Sequence, residues 1–114
     1  MRLFRRKRSL AAIAATVAAL SCGYAGADDP KPETHTVTIE ATSFSPDVLT
    51  VKAGDTIVWV NKDIIPHTAT SKAAGFDSQM LATGKSWTYK AETKGEFPYV
   101  CTFHPTMTGK LHVR

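Results

Sequence analysis

Apolar residues alternate with polar residues through almost every segment from residue 35 to Arg114. This period of two predicts six or seven short strands, in the segments HTVTIEA, VLTVK, TIVWVN, SWTYKA, GEFPYVC and GKLHVR. TIVWVN is almost continuously apolar, which is typical of a central strand. No helical stripe accompanies them, and glycines separate the segments. The pattern therefore predicts an all-β fold in the form of an antiparallel β-sandwich.

The first 34 residues have a different character. The segment MRLFRRKRS is basic, LAAIAATVAAL is apolar but too short to anchor stably in a bilayer, and AGA has the small-x-small pattern of a cleavage site. We predict an export signal over residues 1–27, cut after Ala27, a disordered lead-in over 28–34 and one domain over 35–114. An uncleaved membrane anchor and a lipidated Cys22 are the alternatives.

The basic residues of the signal account for the positive net charge of the whole chain. Residues 28–114 contain nine basic and ten acidic side chains, a net charge of about −1. No basic patch interleaved with aromatic residues remains, so we expect no nucleic-acid partner. We also expect no membrane association after cleavage, a periplasmic location and a monomer.

After cleavage the chain retains a single cysteine, Cys101. An exported protein enters an oxidising compartment, where cysteines usually pair and an exposed free thiol is open to oxidation. An internal disulfide needs two cysteines. We therefore expect the Cys101 thiol to be buried or bound to a metal.

Three soft or borderline donors follow one another at equal spacing in YVCTFHPTM: Cys101, His104 and Met107. A short loop cannot easily surround an ion alone, and His67, just after the apolar TIVWVN segment, is the best candidate for the fourth ligand. A thioether is a poor ligand for zinc and a fair one for copper. Two histidines, one cysteine and a weak methionine form the ligand set of blue-copper electron-transfer sites.

Each of these residues also has an ordinary structural explanation when it is considered alone. A lone histidine is most often a surface residue, and a lone cysteine or methionine most often fills the core. His35, at the start of the first strand, and His112, which alternates away from buried neighbours, are not expected to be ligands. Met80 is a rival axial ligand of low rank.

The segment YVCTFHPTMTGKLHV resembles the ligand loop and last strand of the cupredoxins, the type 1 blue-copper proteins. The short spacing of cysteine, histidine and methionine is most similar to the amicyanins, and plastocyanins and pseudoazurins are similar more broadly. FSPDVLTVKAGDTIVWVNKDIIPHT upstream is also cupredoxin-like, so the resemblance covers residues 35–114. It implies a Greek-key sandwich holding one Cu(I)/Cu(II) ion between His67, Cys101, His104 and Met107.

The resemblance also assigns roles near the ligands. It implies that the backbone N–H of residue 68 bonds the thiolate. Thr68 stands where many cupredoxins have asparagine, so the resemblance leaves open whether the side chain of residue 68 braces the ligand loop. His104 is expected to be the more exposed imidazole, within an apolar patch formed by Phe103, Pro105, Thr106 and Pro66.

Together these features predict a small exported protein that transfers single electrons and has no enzymatic activity. The resemblance to amicyanins implies an amine dehydrogenase and a c-type cytochrome as redox partners. A periplasmic copper carrier or buffer without a redox circuit is the main alternative, and a metal-free interaction domain is another. A thiol enzyme is disfavoured because no third group is in view to orient Cys101 and His104.

Overall fold

The computed structural model describes residues 31–114, in which nine strands and no helix occur. The strands are β1 (Thr34–Glu40), β2 (Ser43–Ser45), β3 (Val48–Val51), β4 (Thr56–Asn61), β5 (Thr70–Ser71), β6 (Phe76–Asp77), β7 (Ser86–Lys90), β8 (Gly95–Cys101) and β9 (His104–Val113). The predicted signal over 1–27 and the first residues of the lead-in lie outside the described residues. Across residues 31–114 we find no helix with the length and hydrophobicity needed to cross a bilayer.

The strands form two sheets, which confirms the predicted sandwich. One sheet has the order β2-β1-β4-β7 and the other has the order β3-β9-β8-β5-β6. Most pairs are antiparallel as predicted, but β1–β4 and β3–β9 are parallel. Parallel neighbours need a crossover connection. The chain provides the first one by crossing from β2 to β3 in the other sheet before it returns as β4.

The core lies between the sheets and follows the predicted alternation. In β1 the buried residues are Val37 and Ile39, and in β4 they are Ile57, Trp59 and Asn61. Strand β4 has β1 on one side and β7 on the other, which confirms its central position. Each apolar side chain removed from water in this way stabilises the fold.

Aromatic rings fill the middle of the core around Trp59. The rings of Phe76, Trp87 and Tyr99 lie with their centroids 5.3, 5.6 and 5.5 Å from that of Trp59. Such tilted and edge-on contacts add to the burial energy of the rings. Burial also raises the pKa of the Tyr99 hydroxyl to about 12.

Strand direction places the predicted ligands at one end of the sandwich. Strand β4 ends at Asn61 shortly before His67, β8 ends at Cys101, and β9 begins at His104. The turn between β3 and β4 lies at the opposite end. The fold therefore brings two distant segments of the chain to one surface.

Candidate metal centre

Three of the four predicted ligands converge at this end of the sandwich. The Nδ1 atoms of His67 and His104 lie 3.7 and 3.8 Å from the Sγ of Cys101. These three donor atoms all lie within 4.8 Å of one another. The two imidazole rings are tilted, with centroids 5.2 Å apart. One ion can therefore contact a thiolate and two imidazoles here.

Cys101 and His104 are placed by the turn between β8 and β9. Cys101 is the last residue of β8 and His104 the first of β9, and the two are register partners. The pairing shifts between Val100 and Cys101, which is a local irregularity of the kind seen where strands re-aim a side chain. Cys101 is fully buried, as predicted for a lone thiol.

His67 reaches the same point from the loop after β4. Its backbone forms an isolated bridge with Leu81, in which the His67 N–H donates over 3.1 Å and the Leu81 N–H donates back over 2.8 Å. The buried side chain of Asn61 supports this loop by donating to the carbonyls of Ile65 and Leu81. The imidazole of His67 has no exposed surface.

Thr68 contacts the ligand loop in two ways. Its backbone N–H lies 3.3 Å from the Sγ of Cys101, the contact that the resemblance implied. Its hydroxyl oxygen also accepts the N–H of Thr102 over 2.9 Å and lies 3.1 Å from the hydroxyl of Thr102. Threonine therefore braces the loop with its side chain here, which answers the point that the resemblance left open.

Sequence reasoning missed Asp63, which holds the far side of the His67 ring. Its Oδ2 lies 2.9 Å from the Nε2 of His67. The N–H of Thr42, then the His67 imidazole and the N–H of Ile64, hold the pKa of Asp63 below its ordinary value. The spacing of four residues in DIIPH is the only local signal of this pair.

The other predicted residues near the site differ in burial. Met107 lies in β9 and is buried in the core, three residues after His104. Met80, the rival ligand, is 62% exposed. His104 is half-buried, whereas His67 is fully buried, so the exposure of the two imidazoles follows the prediction. Beside His104, Phe103 is 51% exposed.

The donor set fits copper. A thiolate is a soft ligand and imidazole suits copper well. The donors come from the end of β8, the start of β9 and the loop after β4, so no single loop carries all three. The N–H of Thr68 is directed at the sulfur, a type of contact that tunes the thiolate as a ligand. A thiol that merely filled the core would need none of these neighbours.

A second group of potential donors, Glu33, His35 and Asp55, lies at the opposite end. The carboxylate of Asp55 accepts the N–H groups of Glu33 and Lys52, each over 2.9 Å, and lies 2.9 Å from the Nε2 of His35. The Lys52 ammonium lies 3.7 Å from Glu33. These contacts tie β1 to the β3–β4 turn. His35 therefore has a structural partner, in agreement with its low rank as a ligand.

His112 also lies away from the site. Its side chain is 45% exposed, and Nδ1 lies 3.8 Å from a carboxylate oxygen of Glu96. The neighbours Leu111 and Val113 are buried. The predicted alternation along the last strand is confirmed.

Comparison with known proteins agrees with this geometry. Residues 10–113 match the family described as the cupredoxin-like domain. Amicyanin-alpha of Methylorubrum extorquens is 32% identical, over 99% of each chain. Among solved structures, a purple cupredoxin from Nitrosopumilus maritimus superposes with a TM-score of 0.65 and 29% identity, covering 70% of this chain and 99% of that one.

One solved structure with a similar fold belongs to an enzyme. The copper-containing nitrite reductase of Thermus scotoductus SA-01 matches with a TM-score of 0.66 and 28% identity. The match covers 76% of this chain but only 23% of the reductase. The likeness therefore concerns one portion of a much longer protein.

Proposed function

This chain belongs to the cupredoxin-like family, and we propose that it carries single electrons through one type 1 copper site. The convergence of His67, Cys101 and His104 on one point is the observation that carries the proposal. These three side chains would hold the ion, with the buried thioether of Met107 as a weak fourth ligand. Bound copper would supply a Cu(I)/Cu(II) couple that accepts and releases one electron at a time.

The chain contributes rigidity around the ligands. Backbone hydrogen bonds to Leu81 hold His67, and the hydroxyl of Thr68 holds the turn that carries Cys101 and His104. Ligands held this firmly move little when the charge at the site changes. Small movement lowers the barrier to electron transfer, and this favours a redox role over the copper-carrier alternative.

Electrons would enter and leave beside His104. It is the more exposed of the two imidazoles, and Phe103, Pro105 and Thr106 beside it are exposed. An apolar rim around a half-buried ligand suits brief contact with a redox protein. We propose such proteins as partners, with an amine dehydrogenase and a c-type cytochrome as the specific pair, and the periplasm as the compartment.

The visible spectrum of the copper-loaded protein tests the site. We expect an intense sulfur-to-copper charge-transfer band that disappears in Cys101→Ser and persists in the control His112→Asn. A wild-type protein without this band would overturn the proposed site. Repeated reduction and oxidation with copper retained supports electron transfer, whereas transfer of the copper to an acceptor on reduction supports the carrier.

A further inference from the structure

Asp63 connects the turn between β1 and β2 to the buried imidazole of His67. Its Oδ2 accepts the N–H of Thr42 over 2.9 Å and lies 2.9 Å from the Nε2 of His67, while Oδ1 accepts the N–H of Ile64 over 2.8 Å. Two of these three contacts do not involve the histidine. Two backbone N–H groups therefore hold the carboxylate in position independently of its contact with the His67 ring.

The loop itself keeps this carboxylate in register with the histidine. The N–H of Asp63 donates to the side-chain oxygen of Asn61 over 2.9 Å. The side-chain amide of Asn61 donates in turn to the carbonyl of Ile65 over 2.9 Å. Because Asn61 is fully buried at the end of β4, the sheet dictates where both Asp63 and His67 lie.

The contact selects one tautomer of the His67 ring. Nδ1 faces the Sγ of Cys101 and needs its lone pair free to bind a metal. An ionised carboxylate only accepts hydrogen bonds, so the ring proton has to be on Nε2. A charged acceptor at that position also makes the opposite nitrogen a stronger donor.

The two imidazoles of the site differ in this respect. The fully buried ring of His67 has a carboxylate at hydrogen-bond distance, whereas among residues 31–114 no carboxylate is within that distance of His104. The protein therefore supplies negative charge to one ligand only, on the side away from the exposed edge. Negative charge near the site favours the more positive oxidation state.

We infer that Asp63 is a positioning residue of the metal centre, which sets the tautomer of His67 and stabilises Cu(II) relative to Cu(I). The inference rests on the proposed function only for its redox half. The tautomer is a property of the metal-free protein.

Two variants separate orientation from charge. Asp63→Ala removes every acceptor, whereas Asp63→Asn keeps an oxygen of similar shape and removes the charge. Asp77→Asn is the matched control, because Asp77, the last residue of β6, also accepts a backbone N–H, from Gln79, together with the hydroxyl of Thr70, and contacts none of the proposed ligands. A cooperative unfolding transition in urea shows that each metal-free variant is folded.

Histidine ¹⁵N NMR of the metal-free protein is the first measurement. We expect the His67 proton on Nε2 in the wild type and the control, and a mixture of tautomers in Asp63→Ala. A wild-type His67 with its proton on Nδ1 would overturn the inference. This measurement needs no copper, so it stands even if the chain binds no copper and the proposed function fails.

The second measurement is of the copper affinity and the reduction potential of each variant. Partners that orient metal-bound histidines typically affect affinity by about 10–100-fold, and we expect Asp63→Ala to lose Cu(II) affinity in that range. A tenfold larger loss for Cu(II) than for Cu(I) in Asp63→Asn raises the reduction potential by about 59 mV. An Asp63→Asn potential equal to that of the wild type and the control would contradict the charge effect.

Discussion

The backbone N–H of Thr68 donates toward the Sγ of Cys101 over 3.3 Å, although the two residues are 33 positions apart. The same threonine accepts the N–H of Thr102 through its hydroxyl oxygen. One residue therefore holds both the sulfur and the turn that follows it. This links the loop after β4 to the loop after β8 without any metal.

Thr68→Val tests the hydroxyl contact without changing the backbone N–H. We expect the metal-free variant to lose about 1 kcal/mol of unfolding free energy, since the Thr102 N–H loses its acceptor. Thr68→Ser keeps the oxygen but removes one buried methyl group, so we expect a loss of about 0.8 kcal/mol from lost burial with the hydroxyl contact intact. Urea denaturation measures both variants, and a Thr68→Val variant as stable as the wild type would argue against the hydroxyl contact.

Asp55, at the end of the sandwich opposite the metal centre, makes the free energy of unfolding depend on pH. The N–H of Glu33, then the imidazole of His35 and the N–H of Lys52, hold the pKa of Asp55 well below its ordinary value of 3.8. Because the folded-state pKa is depressed, the stabilisation is present above pH 3.8 and is lost as the pH falls toward the folded-state value. Asp55→Asn should therefore be less stable than the wild type at neutral pH, by a margin that shrinks in acid.

Urea midpoints at a series of pH values check this expectation. Glu92→Gln is the control, because Glu92 is exposed and its ion pair with Lys90, at 3.7 Å, is of a kind that contributes little to stability. Its midpoint should follow that of the wild type. A constant difference between Asp55→Asn and the wild type across the acidic range would contradict the assigned linkage.

Gly109→Ala tests the close approach between β9 and the core. Gly109 pairs with Tyr99 across the two strands, and a Cβ at residue 109 would overlap the Tyr99 ring. The ring is buried against Phe44 and Trp59, so it has little room to move. We expect a loss of about 1–3 kcal/mol, the usual effect of overpacking.

Thermal or urea denaturation of the metal-free protein measures the loss at Gly109. The control is Thr108→Ala at the exposed neighbouring position, which should change the free energy of unfolding much less than Gly109→Ala does. A Gly109→Ala variant as stable as Thr108→Ala would show that the Tyr99 ring adapts.

Met107→Leu tests the proposed fourth ligand. Leucine has a similar volume, so the metal-free protein should lose less than about 1.5 kcal/mol of unfolding free energy. If the thioether is a weak ligand, its loss disfavours Cu(II) more than Cu(I), and the reduction potential should rise. Voltammetry of the copper form measures this, with Met80→Leu as the exposed control; the same potential in both variants would exclude Met107 from the site.

Features that depend on neighbours along the chain could be predicted from the sequence. The period of two identified most strand segments, because alternation follows directly from strand geometry. The almost continuous apolar run of TIVWVN identified β4 as a central strand. Cys101 and His104 are three positions apart, so the sequence placed both residues on one short loop. His67 follows the β4 segment closely in the sequence, and a residue just after a strand lies at an end of the sandwich.

Features that depend on register and packing were decided by the tertiary structure. The parallel pairing of β1 with β4 was not predicted, because the alternation is the same for either strand direction. The sequence also did not predict three polar contacts: Asp63 with His67, Asn61 with the loop after β4, and His35 with Asp55. Polar side chains such as these have many possible partners along a chain.

The sequence by itself therefore determined the class of fold and the chemical identity of the donors at the site. Only the tertiary structure decided which groups surround those donors and hold the rings of His67 and the sulfur of Cys101 in place. The reason is that strand periodicity and short spacings are local properties, whereas the hydrogen bond between Thr68 and Cys101 exists only after β5 and β8 have paired in one register.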